Sequence, residues 1–214
     1  MDAQPGPRTR TLTLLIALLL PITIGEAAAQ ACVGLPQGSA GALALSVAFP
    51  EDATTYGLGG ATYEEYTDLV FTVGFALTKD DVDTGEDLKS VGGTFGWEVD
   101  ALQDDVSLCP TVGLSYEWIA DLNLLTVPLG VAVGRTFRLG RTTDAGLTPF
   151  AMPHFLWTRA TVDDVEGSET DTFFAVSGGL SLNLGPFLFG GGVNKIFEED
   201  LDPVYSVFVG AAWE

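Results

Sequence analysis

Between Thr67 and Trp118 the chain alternates large apolar residues with small or polar ones in three successive runs. These are Leu69, Phe71, Val73, Phe75 and Leu77; then Val91, Phe95 and Trp97; then Val112, Leu114, Tyr116 and Trp118. The positions between them hold Asp68, Thr72, Gly74 and Ala76; Gly92, Thr94, Gly96 and Glu98; and Gly113, Ser115 and Glu117. Side chains alternate faces along a strand, so each run predicts a β-strand with one large apolar face and one small polar face. A soluble sandwich or barrel alternates in the same way but turns its large residues inward. The direction in which this chain turns them is set by its first residues.

Turn signals and alternation together predict ten strands, at about 41–49, 55–63, 67–78, 90–99, 111–119, 125–139, 147–161, 172–184, 186–197 and 203–213. Ten is an even number, as a single-chain bacterial membrane barrel requires. The first two strands are short and Gly-rich, as are parts of the ninth, which leaves eight strands with an irregular N-terminal segment as the alternative. In the seventh strand Phe150, Met152, His154 and Leu156 on one phase compete with Ala151, Pro153, Phe155 and Trp157 on the other, and its faces stay unassigned. No repeat of solenoid or propeller period and no Pro/Ser linker divides the chain.

Residues 1–31 have the form of an export signal: Arg8 and Arg10 before an apolar stretch from Leu12 to Ile24, then Ala27-Ala28-Ala29 or Ala29-Gln30-Ala31 as the small-residue site, with cleavage expected near 29–31. The apolar stretch is too short for a stable spanning helix, and no later segment approaches eighteen consecutive apolar residues. The expected organisation is a signal peptide at 1–31, a periplasmic N-terminal segment at 32–40 and a barrel at 41–214. An exported chain with this alternation is expected to place its large residues against lipid: an all-β, antiparallel transmembrane barrel.

Removing the signal lowers the basic residues from 9 to 7 and the acidic ones from 29 to 27, so the net charge stays at −20. Such a chain will not bind nucleic acid by neutralising phosphates. Its 47% hydrophobic content also argues against an acidic disordered protein. Charge and hydrophobicity must therefore be segregated between loops and strands.

Counting strands from a periplasmic N-terminus puts loops 79–89, 162–171 and 198–202 outside the cell. They carry Asp80, Asp81, Asp83, Glu86 and Asp87; Asp163, Asp164, Glu166, Glu169 and Asp171; and Glu198, Glu199, Asp200 and Asp202. Weak screening of this rim by divalent cations is expected, without a calcium-motif spacing. The tight Asn183-Leu184-Gly185-Pro186 turn falls on the periplasmic side. So do Cys32 and Cys109, the latter in the connection after the fourth strand, where an oxidising compartment favours a disulfide. Lipidation of Cys32 is the rival reading. Aromatics form two girdles, with Trp97, Phe137, Phe187 and Trp213 near the periplasmic ends and Tyr56, Trp118 and Tyr205 near the outer ends.

Tyr205, Val207, Val209, Ala211 and Trp213 alternate to the C-terminus, with Glu214 after the last aromatic. This strand resembles the C-terminal signature of bacterial outer-membrane β-barrels. The resemblance implies recognition by the barrel assembly machinery and residence among outer-membrane lipids, and it picks out no particular member.

Chemistry-bearing constellations are scarce. His154 is the lone histidine, in Met152-Pro153-His154-Phe155, without a nucleophile motif nearby. Neither the acidic–histidine pairing of outer-membrane proteases nor the serine motif of lipid A deacylases is found. Two cysteines and one histidine do not make a zinc site, and Gly190-Gly191-Gly192 lies within a strand, with no following helix to form a phosphate loop. On the polar face Asp68, Glu98 and Glu117, with Arg138 or Arg159, either line an ion path or form a network that fills the lumen. Small barrels are generally filled. The sequence reading is an outer-membrane barrel with a structural or surface-interaction role and no catalytic site, cofactor or metal; a narrow pore is the runner-up, and an enzyme using His154 the third.

Overall fold

The computed structural model describes residues 39–64, 67–80, 87–102, 106–140, 145–162, 167–198 and 201–213. Twelve strands follow in chain order: β1 (Gly41–Phe49), β2 (Ala53–Glu64), β3 (Leu69–Asp80), β4 (Leu88–Trp97), β5 (Val99–Leu102), β6 (Val106–Ile119), β7 (Leu122–Arg135), β8 (Phe137–Arg138), β9 (Ala145–Val162), β10 (Ser168–Leu184), β11 (Phe187–Ile196) and β12 (Val204–Trp213). Ten of them form a closed antiparallel ring in the order β1, β2, β3, β4, β6, β7, β9, β10, β11, β12. β12 returns to β1, with Trp213 opposite Gly41 and Tyr205 opposite Phe49. The short β5 and β8 pair with β6 and β9 at one rim. The ring leaves no unpaired edge, which is the condition for strands to cross a membrane. Among the described residues no helix is long and apolar enough to cross one.

Gly41 and Trp213 lie at one end, here the near mouth, and the loops after β3, β9 and β11 open at the opposite, far mouth. Several connections are tight. Gly185, with φ +59°, begins the two-residue link from β10 to β11 at the near mouth, where a side chain would be strained. Ala120-Asp121 is the corresponding link from β6 to β7 at the far mouth.

Each expected strand is present, with shifted ends. The largest shift corrects the placement of Cys109. The connection before the fifth strand was expected to run to residue 110, whereas β6 begins at Val106 and carries Cys109 within the barrel wall. Pro110 sits opposite the break between β4 and β5, where a missing N–H disrupts no continuous ladder.

The burial pattern is that of a globular core turned inside out. Leu43, Leu45, Phe71, Val73, Phe75, Leu114, Leu129, Phe187 and Val207 point outward and are exposed, whereas Ala48, Thr55, Thr72, Ser90, Ser115, Thr148, Ser177 and Ser181 point inward and are buried. The outward apolar surface buries its area only in lipid. The two girdles of aromatics are carried on it: Trp97, Phe137, Phe187 and Trp213 toward the near mouth, Tyr56 and Tyr205 toward the far one. Trp118 is half-buried and stacks on Tyr116 with ring centroids 5.8 Å apart.

β9 turns its even-numbered residues inward, so Phe150, Met152, His154 and Leu156 are buried while Phe155 and Trp157 are exposed. The inward bulk of β9–β12 is matched by small residues elsewhere on the inner face. Phe208 lies against Gly190, where even a Cβ atom would meet its ring. On the wall β1–β4 the inward positions include Ala44, Ser46, Gly57, Gly59, Gly74 and Gly92.

Candidate functional site: an enclosed polar layer in the lumen

Two apolar clusters cross the lumen. Toward the far mouth, Leu88 of β4, Leu124 of β7, Leu156 and Ala160 of β9, Ala175 of β10 and Ile196 of β11 pack together, with Ile119, Leu122, Phe173 and Leu201 against them. β4 and β11 are diametrically opposed in the ring, so this cluster spans it. Toward the near mouth, Val70 of β3, Cys109 of β6, Ala132 of β7, and Phe150 and Met152 of β9 pack together, joined by Ala61 and Tyr63 of β2. β2 and β9 are also opposed. Ala42, Leu188, Phe208 and Ala212 add a third cluster near the chain ends.

Between the two crossing clusters lies a polar layer. Thr72 and Thr94 share a 2.6 Å hydroxyl–hydroxyl hydrogen bond, and the Thr94 N–H donates to Thr72 Oγ1 at 3.2 Å. Ser177 Oγ donates to Asn194 Oδ1 at 3.2 Å. His154 places Nδ1 3.0 Å from the Met152 carbonyl oxygen. At the edge of the layer Thr111 Oγ1 donates to Met152 Sδ at 3.8 Å.

Glu117 departs from this satisfied pattern. It is 1% exposed, and neither carboxylate oxygen has a hydrogen-bond partner. Thr126 Oγ1 is likewise buried and unpartnered. Glu117 pairs with Ser90 on one side and Leu124 on the other, and Ser115 pairs with Thr126, so Thr126 is the diagonal neighbour of Glu117 on the same inner face. Nearer the chain ends, Ser181 Oγ and Asn183 Oδ1 are also buried without partners.

Of the five charged residues expected at the lumen, Glu117 alone lies in this layer. Asp68 is in the near-mouth turn before β3, at φ 54°, where it accepts a 3.0 Å hydrogen bond from Tyr63 Oη. The Glu98 N–H donates to the Asp68 carbonyl oxygen at 2.8 Å, which puts both residues on that rim. Arg138 is exposed on β8 at the same rim, and Arg159 is exposed on the outward phase of β9. The expected lumen placement of Asp68, Arg138 and Arg159, all exposed, is therefore corrected. Asp68, Glu98 and Arg138 lie where the alternation of the main strands has ended, and Arg159 follows the odd-numbered phase that β9 turns outward. Thr126 went unnoticed in the sequence because a hydroxyl carries no charge signal; its phase relative to Thr111, Ser115 and Glu117 is evident only once β6 and β7 are paired.

Cys109 is fully buried on the inner face and is not a free thiol. Cys32 lies outside the described residues. Tyr205, Val207, Val209, Ala211 and Trp213 all face outward on β12, the strand that closes the ring. Of the acidic rim, Asp80, Asp87, Glu169, Asp171, Glu198 and Asp202 are described and stand at the far mouth; the remaining carboxylates lie outside the described residues. Among the described residues no group of three or more His, Cys, Asp or Glu is arranged to hold a metal ion.

No family model matches this sequence, and no curated protein matches it significantly. Solved structures do match in fold. The translocator domain of the autotransporter NalP from Neisseria meningitidis superposes with a TM-score of 0.50 at 12% identity, covering 95% of this chain and 97% of that one. The fold is that of an outer-membrane β-barrel. LpxR from Salmonella typhimurium matches at a TM-score of 0.44 and 11% identity over 74% of this chain and 72% of that one. A bacterial polysaccharide outer membrane secretin matches at 0.44 and 10% over 76% of this chain, which spans 57% of that protein.

Proposed function

We propose that this chain is an integral outer-membrane protein with a structural or surface-interaction role, whose barrel is a filled wall element and which catalyses no reaction. The observation that carries the reading is the pair of apolar clusters that join opposite strands across the lumen. A water-filled channel would leave inward side chains wet, whereas Thr55, Thr72, Ser115, Thr126, His154 and Ser177 are each at most 5% exposed. His154 sits between the two clusters with its Nδ1 against a backbone carbonyl, a setting that suits packing. The far mouth is acidic, and divalent cations would screen its carboxylates weakly. In this reading the outward faces of the ten strands contact outer-membrane lipid, and the closing strand β12 is the segment read by the assembly machinery.

Planar-bilayer recording tests the central claim. The refolded protein is expected to give no discrete conductance, while Leu88→Ser combined with Phe150→Ala, which thins both lumen-crossing clusters, is expected to admit ions. Steady unitary conductance from the unaltered protein would instead establish the narrow-pore reading, to which the small inward residues of β1–β4 lend support.

A further inference from the structure

The polar layer between the two clusters contains a carboxylate with no compensating charge. Every described lysine and arginine lies elsewhere: Lys79, Lys89, Lys195 and Arg159 on the outward phase, Arg135 and Arg138 at the near-mouth rim. An isolated carboxylate removed from water costs several kcal/mol unless a positive charge or hydrogen-bond donors meet it or it takes up a proton. No described cation or hydrogen-bond donor meets the Glu117 oxygens, and the Thr126 hydroxyl beside them is equally unmet. Ser90 and Ser115 share the same stretch of inner face through the register of β4, β6 and β7.

We propose that Glu117 and Thr126 hold a small monovalent cation, of the sodium or potassium class, within the enclosed layer. The donor set is a single carboxylate and neutral hydroxyl oxygens, which suits a hard cation that prefers oxygen ligands. One positive charge neutralises one carboxylate. A divalent ion would leave an uncompensated charge in a compartment closed by apolar clusters above and below, and no second acidic side chain from the described strands stands in the layer to balance it. The proposal goes beyond the structural role above, since it assigns a ligand to the interior of the barrel.

Thermal unfolding of the full chain in detergent tests it, with sodium, potassium or choline chloride at equal ionic strength. Choline matches the ionic strength but is too large for the layer. At about 100-fold excess over the dissociation constant, sodium or potassium is expected to raise the Tm by roughly 5 °C relative to choline, saturably. Glu117→Gln should abolish that increment, and Thr126→Val should shift its midpoint to higher salt. Calcium acting on the acidic far mouth should stabilise Glu117→Gln and the unaltered protein alike. Equal Tm values in choline and sodium would overturn the proposal, as would an undiminished sodium increment in Glu117→Gln. Were that variant not to refold, the salt series on the unaltered protein and on Thr126→Val would decide the matter by the same criteria.

Discussion

Thr72 and Val73 are adjacent in sequence and live in opposite media. Val73 is 53% exposed on the outer face, while Thr72 is 3% exposed and bonded twice to Thr94. Arginine at position 73 would sit in lipid, so Val73→Arg should lower stability by about 2–4 kcal/mol if the residue lies near the bilayer midplane. Thr72→Val keeps the shape but leaves Thr94 without its partner, at a cost of about 1–3 kcal/mol. Urea unfolding from lipid vesicles would measure both, and a Val73→Arg variant as stable as the unaltered protein would contradict the outward assignment. At this scale the alternation made the faces of β3, β4 and β6 legible, because both populations of residues were pure. It failed for charged residues just beyond strand ends, since Asp68 and Arg138 obey the geometry of a turn and of a short rim strand, and the phase of the main strands does not reach them.

Whole elements were legible to within a few residues wherever one face was small. The seventh expected strand was not, and the structure supplies the physical reason: its inward residues Phe150, Met152 and Leu156 belong to the clusters that cross the lumen, so β9 is apolar on both faces. A two-sided apolar strand has no phase to read from sequence alone. The hairpin β6–β7 offers a test of local geometry. Its two-residue link places Ala120 at φ 45°, a conformation that costs an L-residue roughly 1–2 kcal/mol and glycine little. Ala120→Gly should therefore stabilise the barrel by about 1 kcal/mol despite the greater freedom of glycine in the unfolded chain. Denaturant midpoints compared in one detergent would show it, and a clear loss of stability would mean that the link does not hold this conformation.

At the scale of the molecule, the segregation of charge anticipated from composition takes a definite form: apolar girdled exterior, acidic far mouth, and an interior whose polar layer is bounded by clusters invisible to any single strand. Those clusters join residues distant in sequence, such as Leu88 with Ile196, which is why the filled lumen could be expected only from barrel size. The near-mouth cluster also bears on covalent structure. Cys109 is fully buried within it, so a partner thiol must approach from inside the barrel mouth. Ser39, the first described residue, is buried at that mouth, and seven residues of chain back to Cys32 reach roughly 24 Å when extended. A Cys32–Cys109 bond is therefore sterically accessible to the segment before β1, and it would close a loop long enough to stabilise the fold by about 4 kcal/mol in the chain-entropy model. Intact mass of the purified protein is expected to lie two hydrogens below the fully reduced value, with one peptide joining Cys32 to Cys109, and Cys32→Ser should lower the Tm as much as reductant lowers it in the unaltered protein. A mass showing two thiols, or an acylated Cys32, would remove the bond; a Cys32→Ser variant with unchanged Tm would show instead that the near-mouth cluster holds the barrel closed without it.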